Sequence, residues 1–102
     1  MAAIGDHLIS SNYVITECAA LLQNRLGMAA VRDLFLVVAP SLRVHWVEPD
    51  EHESAVRTLL ALGRRRLSLV DCVSFGVMRR LGIERAFTLD QHFAEQGFEC
   101  AP

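Results

Sequence analysis

The spacing of apolar residues is the feature that most constrains how this chain can fold. An apolar stripe at helical spacing starts at Val14 and predicts a helix, which Ser11 or Asn12 can cap and Gly27 can end. A second apolar stripe stops at Pro40 and consists of Met28, Val31, Leu34, Phe35 and Val38. Short β-rich runs predict strands at residues 8–10, 44–47, 86–89 and 98–100. Helices that alternate with such strands predict an α/β domain with a short parallel sheet flanked by helices.

Two further helices have recognisable boundaries. Asp50 and Glu53 have the spacing of a capping box at the start of a third helix, and Gly63 follows its last turn. Ser68 can cap a fourth helix, which Gly82 ends. The tryptophan of the strand at 44–47, Trp46, is expected to belong to the core rather than to act as a platform for nucleic-acid bases.

Composition limits the size and setting of the protein. A chain of 102 residues is expected to form a single domain over 1–102. Hydrophobic residues make up 52% of it, so we expect part of the apolar surface to face a partner, as in a homo-oligomer. The net charge of -2 carries no global signature of nucleic-acid binding. Three scattered cysteines, no secretory signal and no apolar run of membrane length predict a reduced, cytoplasmic protein without a membrane segment.

Three acids adjoin the predicted elements and suggest chemistry. Glu17 lies early in the first helix, Asp71 in the first turn of the fourth, and Asp90 directly after a strand. Ligands of parallel α/β sheets gather at the carboxyl ends of the strands, and carboxylate oxygens suit Mg²⁺ or Mn²⁺. Each acid also has a structural alternative. Asp71 can stabilise the helix capped by Ser68, Asp90 can cap a turn, and Glu17 can be an exposed surface carboxylate.

Two segments of the chain resemble PIN domains. LSLVDCVSFGVMRRLGIERAFTLDQHFAEQGFECAP closely resembles their C-terminal part, and SSNYVITECAALLQNRLG resembles the strand and acid-bearing helix that precede it. The resemblance implies a three-layer α/β fold and a metal-dependent endoribonuclease of the VapC toxin type, with RNA as substrate and an antitoxin protein as a partner. It assigns metal-ligand roles to Glu17, Asp71 and Asp90, with Mg²⁺ or Mn²⁺ as cofactor and Thr88 as a supporting hydroxyl. Water is then the nucleophile, and the basic run Arg64, Arg65 and Arg66 is either an RNA-binding element or a solvated face.

The front of the chain departs from the PIN pattern. A typical PIN domain opens with a central strand that ends in a metal-binding aspartate, and here the sequence starts shortly before the region that resembles residues 8–26. Asp6 precedes the first apolar strand and Asp33 lies in mid-helix, so neither is expected to replace that acid. The resemblance thus implies a truncated domain without its usual first strand.

Two outcomes of this departure remain open. The sheet can close the gap by rearrangement, by pairing with a second copy or by strand exchange, and a start codon assigned too far downstream would account for the missing strand. The chain is then either an endoribonuclease, whose activity the loss of the first strand and its aspartate can impair, or a catalytically inactive PIN remnant that acts through protein contacts.

Overall fold

The computed structural model describes the backbone of residues 2–4, 7–87 and 99–101 and the side chains of residues 8–85. The elements in these ranges are β1 (Ala2–Ile4), β2 (His7–Ser11), α1 (Asn12–Leu26), α2 (Met28–Asp33), a π-helical segment (Leu34–Val38), a 3₁₀ turn (Ala39–Ser41), β3 (Arg43–His45), α3 (Pro49–Leu62), α4 (Leu69–Leu81), β4 (Arg85–Phe87) and β5 (Glu99–Ala101). This order of elements confirms the predicted α/β class.

One five-stranded sheet organises the described residues, in the order β3-β2-β1-β4-β5. β2 pairs in parallel with β3, and β4 in parallel with β5. β1 runs antiparallel to both of its neighbours, β2 and β4. It follows that β2, β3, β4 and β5 all point the same way, so their carboxyl ends lie at one edge of the sheet.

The middle of the sheet is filled by β1, which the apolar pattern of the sequence did not predict. Ala2 pairs with Ile9 of β2 on one side and with Ala86 of β4 on the other. Unpaired backbone groups in the middle of a sheet are costly when buried, and β1 satisfies them from within the same chain. The described sheet therefore has a strand at its middle, and the truncation of the domain remains a prediction.

The helix boundaries follow local capping chemistry. Ser11 caps α1 by accepting a 3.2 Å hydrogen bond from the Val14 N–H, and Gly27 follows the last turn. Ser68 caps α4, which ends at Gly82 with a left-handed φ of 70° that suits glycine. These boundaries were predicted from the sequence.

The capping box of α3 lies two residues earlier than predicted. The carboxylate of Glu48 accepts from the backbone of Glu51, whose side chain accepts in turn from the Glu48 N–H at 2.9 Å. Pro49 occupies the first helical position, where its fixed φ and missing N–H cost nothing. The prediction that Asp50 and Glu53 form this box was wrong, because Pro49 places the start of the helix before them.

The core lies under α4 and α3. Phe75 and Val73 of α4 are each only 1% exposed, and Ala55 of α3 packs in the same cluster. Met78 is buried as well. The Trp46 side chain is 69% exposed, so its predicted place in the core was wrong.

Apolar side chains of the second predicted stripe are mostly exposed. Of its members Leu34 is buried, whereas Met28 and Phe35 are 46% and 48% exposed. The helix opens into the π-helical segment at Leu34, which shifts the following side chains away from the helical stripe. Among the described residues, none of the helices has the length and apolar character needed to cross a membrane.

Candidate active site

Glu17 lines a shallow, open cavity of about 460 Å³ between α1 and the first turn of α4. Two adjacent rows of α1 form most of its wall, and Val70 of α4 closes the other side. Side chains four residues apart lie one above the other on a helix, so Tyr13 is the direct neighbour of Glu17 within this wall. The exposed Glu17 carboxylate thus faces a concave surface rather than open solvent alone.

Two hydrogen bonds fix wall residues of this cavity, here called the Glu17 cavity. Asn12 Oδ1 accepts a 2.8 Å bond from the Val47 N–H, which ties the start of α1 to the segment after β3. The Tyr13 hydroxyl is bonded to His52 Nδ1 on α3, and the two rings meet edge to face. The Asn12 amide is oriented by its bond, because only its oxygen can accept from a backbone N–H. Its NH₂ group therefore remains as a donor.

Asp71 belongs to the capping box of α4. Its Oδ2 accepts a 3.1 Å bond from the Ser68 N–H, and its own N–H donates to Ser68 Oγ at 3.0 Å. The structural alternative for this acid is therefore realised. A carboxylate has two oxygens, so Asp71 can make this bond with one oxygen and bind a cation with the other. Val70, the residue before Asp71, contacts the Glu17 cavity, which puts the start of α4 next to Glu17.

The third acid and its supporting hydroxyl, Asp90 and Thr88, lie outside the described residues. β4 ends at Phe87, at the same edge of the sheet as the carboxyl end of β2. Within the described part of the chain, no group of three His, Cys, Asp or Glu side chains is placed to hold a metal ion. The three-acid site remains a prediction, with two of its members described.

The basic run lies in the loop between α3 and α4. Arg64, Arg65 and Arg66 are all exposed, and Leu67 directly after them is buried. The Leu67 N–H donates to the Arg64 carbonyl at 3.2 Å, which closes a turn and places the run just ahead of the Ser68 cap. The arginines are therefore next to the start of α4 along the chain.

Two thiols beside the acids have shifted pKa values. Burial raises the pKa of Cys72, and the charge of the adjacent Asp71 raises it further. Burial also raises the pKa of Cys18, with the Glu17 carboxylate adding to the effect. Both thiols stay protonated at neutral pH, and a thiol is a poor nucleophile compared with its thiolate. Neither cysteine therefore suits nucleophilic catalysis at this site.

The sequence matches the PIN domain family over residues 1–99. This chain belongs to the PIN domain family. It is 37% identical over 92 residues to a protein of Mycobacterium tuberculosis named 23S rRNA-specific endonuclease VapC20, in each of two strains, and the match covers 89% of this chain and 70% of that protein.

A solved structure extends the likeness to three dimensions. This PIN domain superposes on the crystal structure of Mycobacterium tuberculosis VapC20, described as a sarcin-ricin loop cleaving toxin, with a TM-score of 0.83 and 33% identity. The match covers 93% of this chain and 74% of that one. The fold of this PIN domain is therefore that of a VapC-type toxin.

Sequence reasoning missed most of the cavity wall. The sequence marks Asn12 only as a cap, and neither the wall residue Tyr13 nor its hydrogen-bond partner His52 belongs to a motif. The spacing of Tyr13 four residues before Glu17 was the available signal, since it puts both on one face of a helix. The hydrogen bond that joins Asn12 to Val47 links residues 35 apart in the sequence, so no local pattern reveals it.

Proposed function

We propose that this PIN domain is a metal-dependent endoribonuclease of the VapC toxin type that hydrolyses RNA phosphodiester bonds. The observation that carries this proposal is the meeting of α1 and the first turn of α4 at the Glu17 cavity. The four parallel strands also present their carboxyl ends at one edge. This is the edge where ligands bind in α/β sheets.

Glu17, Asp71 and Asp90 are the proposed ligands of Mg²⁺ or Mn²⁺. The oxygen donors of Glu17 and of Asp71 fit a hard cation, and the bond of Asp71 to Ser68 holds one of them in a fixed orientation. A bound cation of this kind supplies charge opposite the phosphate and makes water a better nucleophile. Thr88 is proposed as a supporting hydroxyl, and the exposed Arg64, Arg65 and Arg66 as phosphate contacts.

Likeness to VapC20 suggests a first substrate. A structured ribosomal RNA such as the sarcin-ricin loop is the first substrate to test, because the relative is described as cleaving it. An antitoxin protein and a second copy of the chain are proposed partners. Four consecutive apolar residues, at 35–38, are exposed and offer surface for such contacts.

Cleavage of a synthetic sarcin-ricin loop hairpin in Mn²⁺ tests the proposal. Glu17→Gln and Asp71→Asn should each lower the cleavage rate by about a hundredfold or more, because loss of even an outer-shell partner of a metal ligand costs about 10–100-fold. Asn at 71 keeps an oxygen that can accept from the Ser68 N–H, so capping is retained. Asp33→Asn, an exposed acid of α2 outside the cavity, is the matched control and should cleave normally.

The alternative, a non-catalytic PIN domain that acts through protein contacts, has its own supporting observation. The middle strand of the described sheet, Ala2–Ile4, carries no acid. Equal cleavage by the wild type, Glu17→Gln and Asp71→Asn would remove the site assignment. Absence of both cleavage and Mn²⁺ binding by calorimetry would favour the non-catalytic domain.

A further inference from the structure

Trp46 is an exposed indole in a chain with a single tryptophan. Its side chain is 69% exposed, whereas its neighbours His45 and Val47 are half-buried. A large aromatic side chain that stays in water forgoes substantial stabilisation from burial. Its exposure therefore calls for a role other than packing within the described residues.

The backbone around Trp46 is held on both sides. His45 Nε2 donates to the Glu51 carboxylate at 2.9 Å, and the Val47 N–H donates to Asn12 Oδ1 at 2.8 Å. The indole is thus carried by a fixed stretch of chain rather than a loose loop. A fixed platform loses little conformational freedom when a ligand binds to it.

Trp46 lies at the edge of the sheet that the Glu17 cavity occupies. It directly follows the carboxyl end of β3, which is parallel to β2. The bond from Val47 to Asn12 brings the Trp46 Cα within about 5 Å of Asn12 Oδ1, by standard backbone dimensions. Asn12 lines the same cavity as Glu17. The Trp46 backbone therefore lies beside the candidate active site, and its indole is exposed there.

We propose that Trp46 is a stacking platform for a base of the RNA strand that enters the Glu17 cavity. This inference rests on the endoribonuclease function proposed above and adds a residue that contacts the substrate. Every nucleobase has a flat π-face, and stacking on an exposed aromatic ring is a common way to hold an unpaired base. The nearby Asn12 NH₂ group supplies a donor at the same cavity for an oxygen of the strand.

The single tryptophan makes the contact directly observable. A sarcin-ricin loop hairpin is titrated into the full chain in EDTA, so that binding is measured without metal-dependent cleavage. Tryptophan emission should be quenched as the RNA binds, in step with the anisotropy of a labelled hairpin. Trp46→Ala should weaken binding about tenfold, and Trp46→Phe less, because a smaller aromatic ring can still stack.

Leu60→Ala is the matched control, since Leu60 is an apolar residue of α3 that is 76% exposed. It should leave RNA binding unchanged, and circular dichroism should show all three variants folded. If the RNA binds without quenching the tryptophan emission, or if Trp46→Ala binds it as tightly as the wild type, Trp46 is not a stacking platform. Either result leaves the nuclease proposal intact. Loss of self-association in Trp46→Ala with unchanged RNA binding would assign the indole to a protein contact instead. A wild type that neither binds nor cleaves the hairpin would refute the proposed function, and the platform with it.

Discussion

The two helical halves of this PIN domain are built differently. The α3–α4 half holds most of the core, with Val73 and Phe75 each 1% exposed. In the half formed by α1, α2 and the π-helical segment, Leu34 is the one buried residue among the described side chains. Leu36 in that segment is 73% exposed.

Because of this difference, most residues that form the core are not the residues that line the Glu17 cavity. The Glu17 cavity lies mainly on α1, where no described side chain is fully buried and Tyr13 packs against the edge of the core. Its position is fixed by the hydrogen bond of Asn12 to Val47, in the segment after β3, and by that of Tyr13 to His52 of α3. Substitutions of the exposed cavity residues of α1, such as Glu17, should therefore alter function before stability.

The largest expected difference between the halves comes from removing a phenylalanine ring in each. Phe75→Ala should lower the free energy of unfolding by about 3–5 kcal/mol, because it leaves a cavity among fully buried neighbours. Phe35→Ala, at a side chain already 48% exposed, should cost less than about 1.5 kcal/mol. Urea denaturation of both variants measures this, and equal losses would contradict the contrast.

A second, smaller effect concerns pH and the buried Glu51 side chain in the stable half. Desolvation opposes its ionisation most strongly, but hydrogen bonds from the Glu48 N–H and His45, with the charges of His45 and Arg80, together lower its pKa. A lowered pKa in the folded state means that ionised Glu51 stabilises the fold above its ordinary pKa of about 4.3. This stabilisation is lost as the pH falls through the lowered pKa.

Glu51→Gln tests that dependence. It should cost about 1–2 kcal/mol near neutral pH and remove part of the fall in stability below pH ~4.3. Unfolding free energies measured across this range supply the comparison. Glu53→Gln, an exposed acid on the same helix, should leave the profile unchanged. If the free energy of unfolding of Glu51→Gln falls with decreasing pH as it does in the wild type, groups other than Glu51 cause the acid sensitivity.

The smallest expected effect compares the two serine caps. Ser68→Ala removes one half of a reciprocal capping box on α4 and should cost about 1 kcal/mol. Ser11→Ala removes a single 3.2 Å bond on α1 and should cost about 0.5 kcal/mol. Thermal unfolding with circular dichroism measures both. A larger loss from Ser11→Ala would mean that α1 contributes more to the fold than its burial indicates.

Local features of this structure were predictable to the residue. The sequence predicts the caps at Ser11 and Ser68 and the helix-ending glycines at 27, 63 and 82. Each of these helix ends is stabilised by hydrogen bonds between residues only a few positions apart. The capping box of α3 was misplaced because Pro49 was not treated as the first helical residue. The acids of the candidate site were singled out by their positions beside predicted helices and strands, and the resemblance to PIN domains assigned them metal-ligand roles. Their convergence remains a prediction.

The sequence by itself determined the α/β class, the ends of most helices and the membership of the PIN family. Only the tertiary structure decided that Ala2–Ile4 fills the middle of the sheet, that Trp46 faces solvent, and that Asn12 joins Val47 beside Glu17. The reason is physical. A helix end is stabilised by groups close along the chain, whereas strand order and burial depend on which distant elements exclude water from each other.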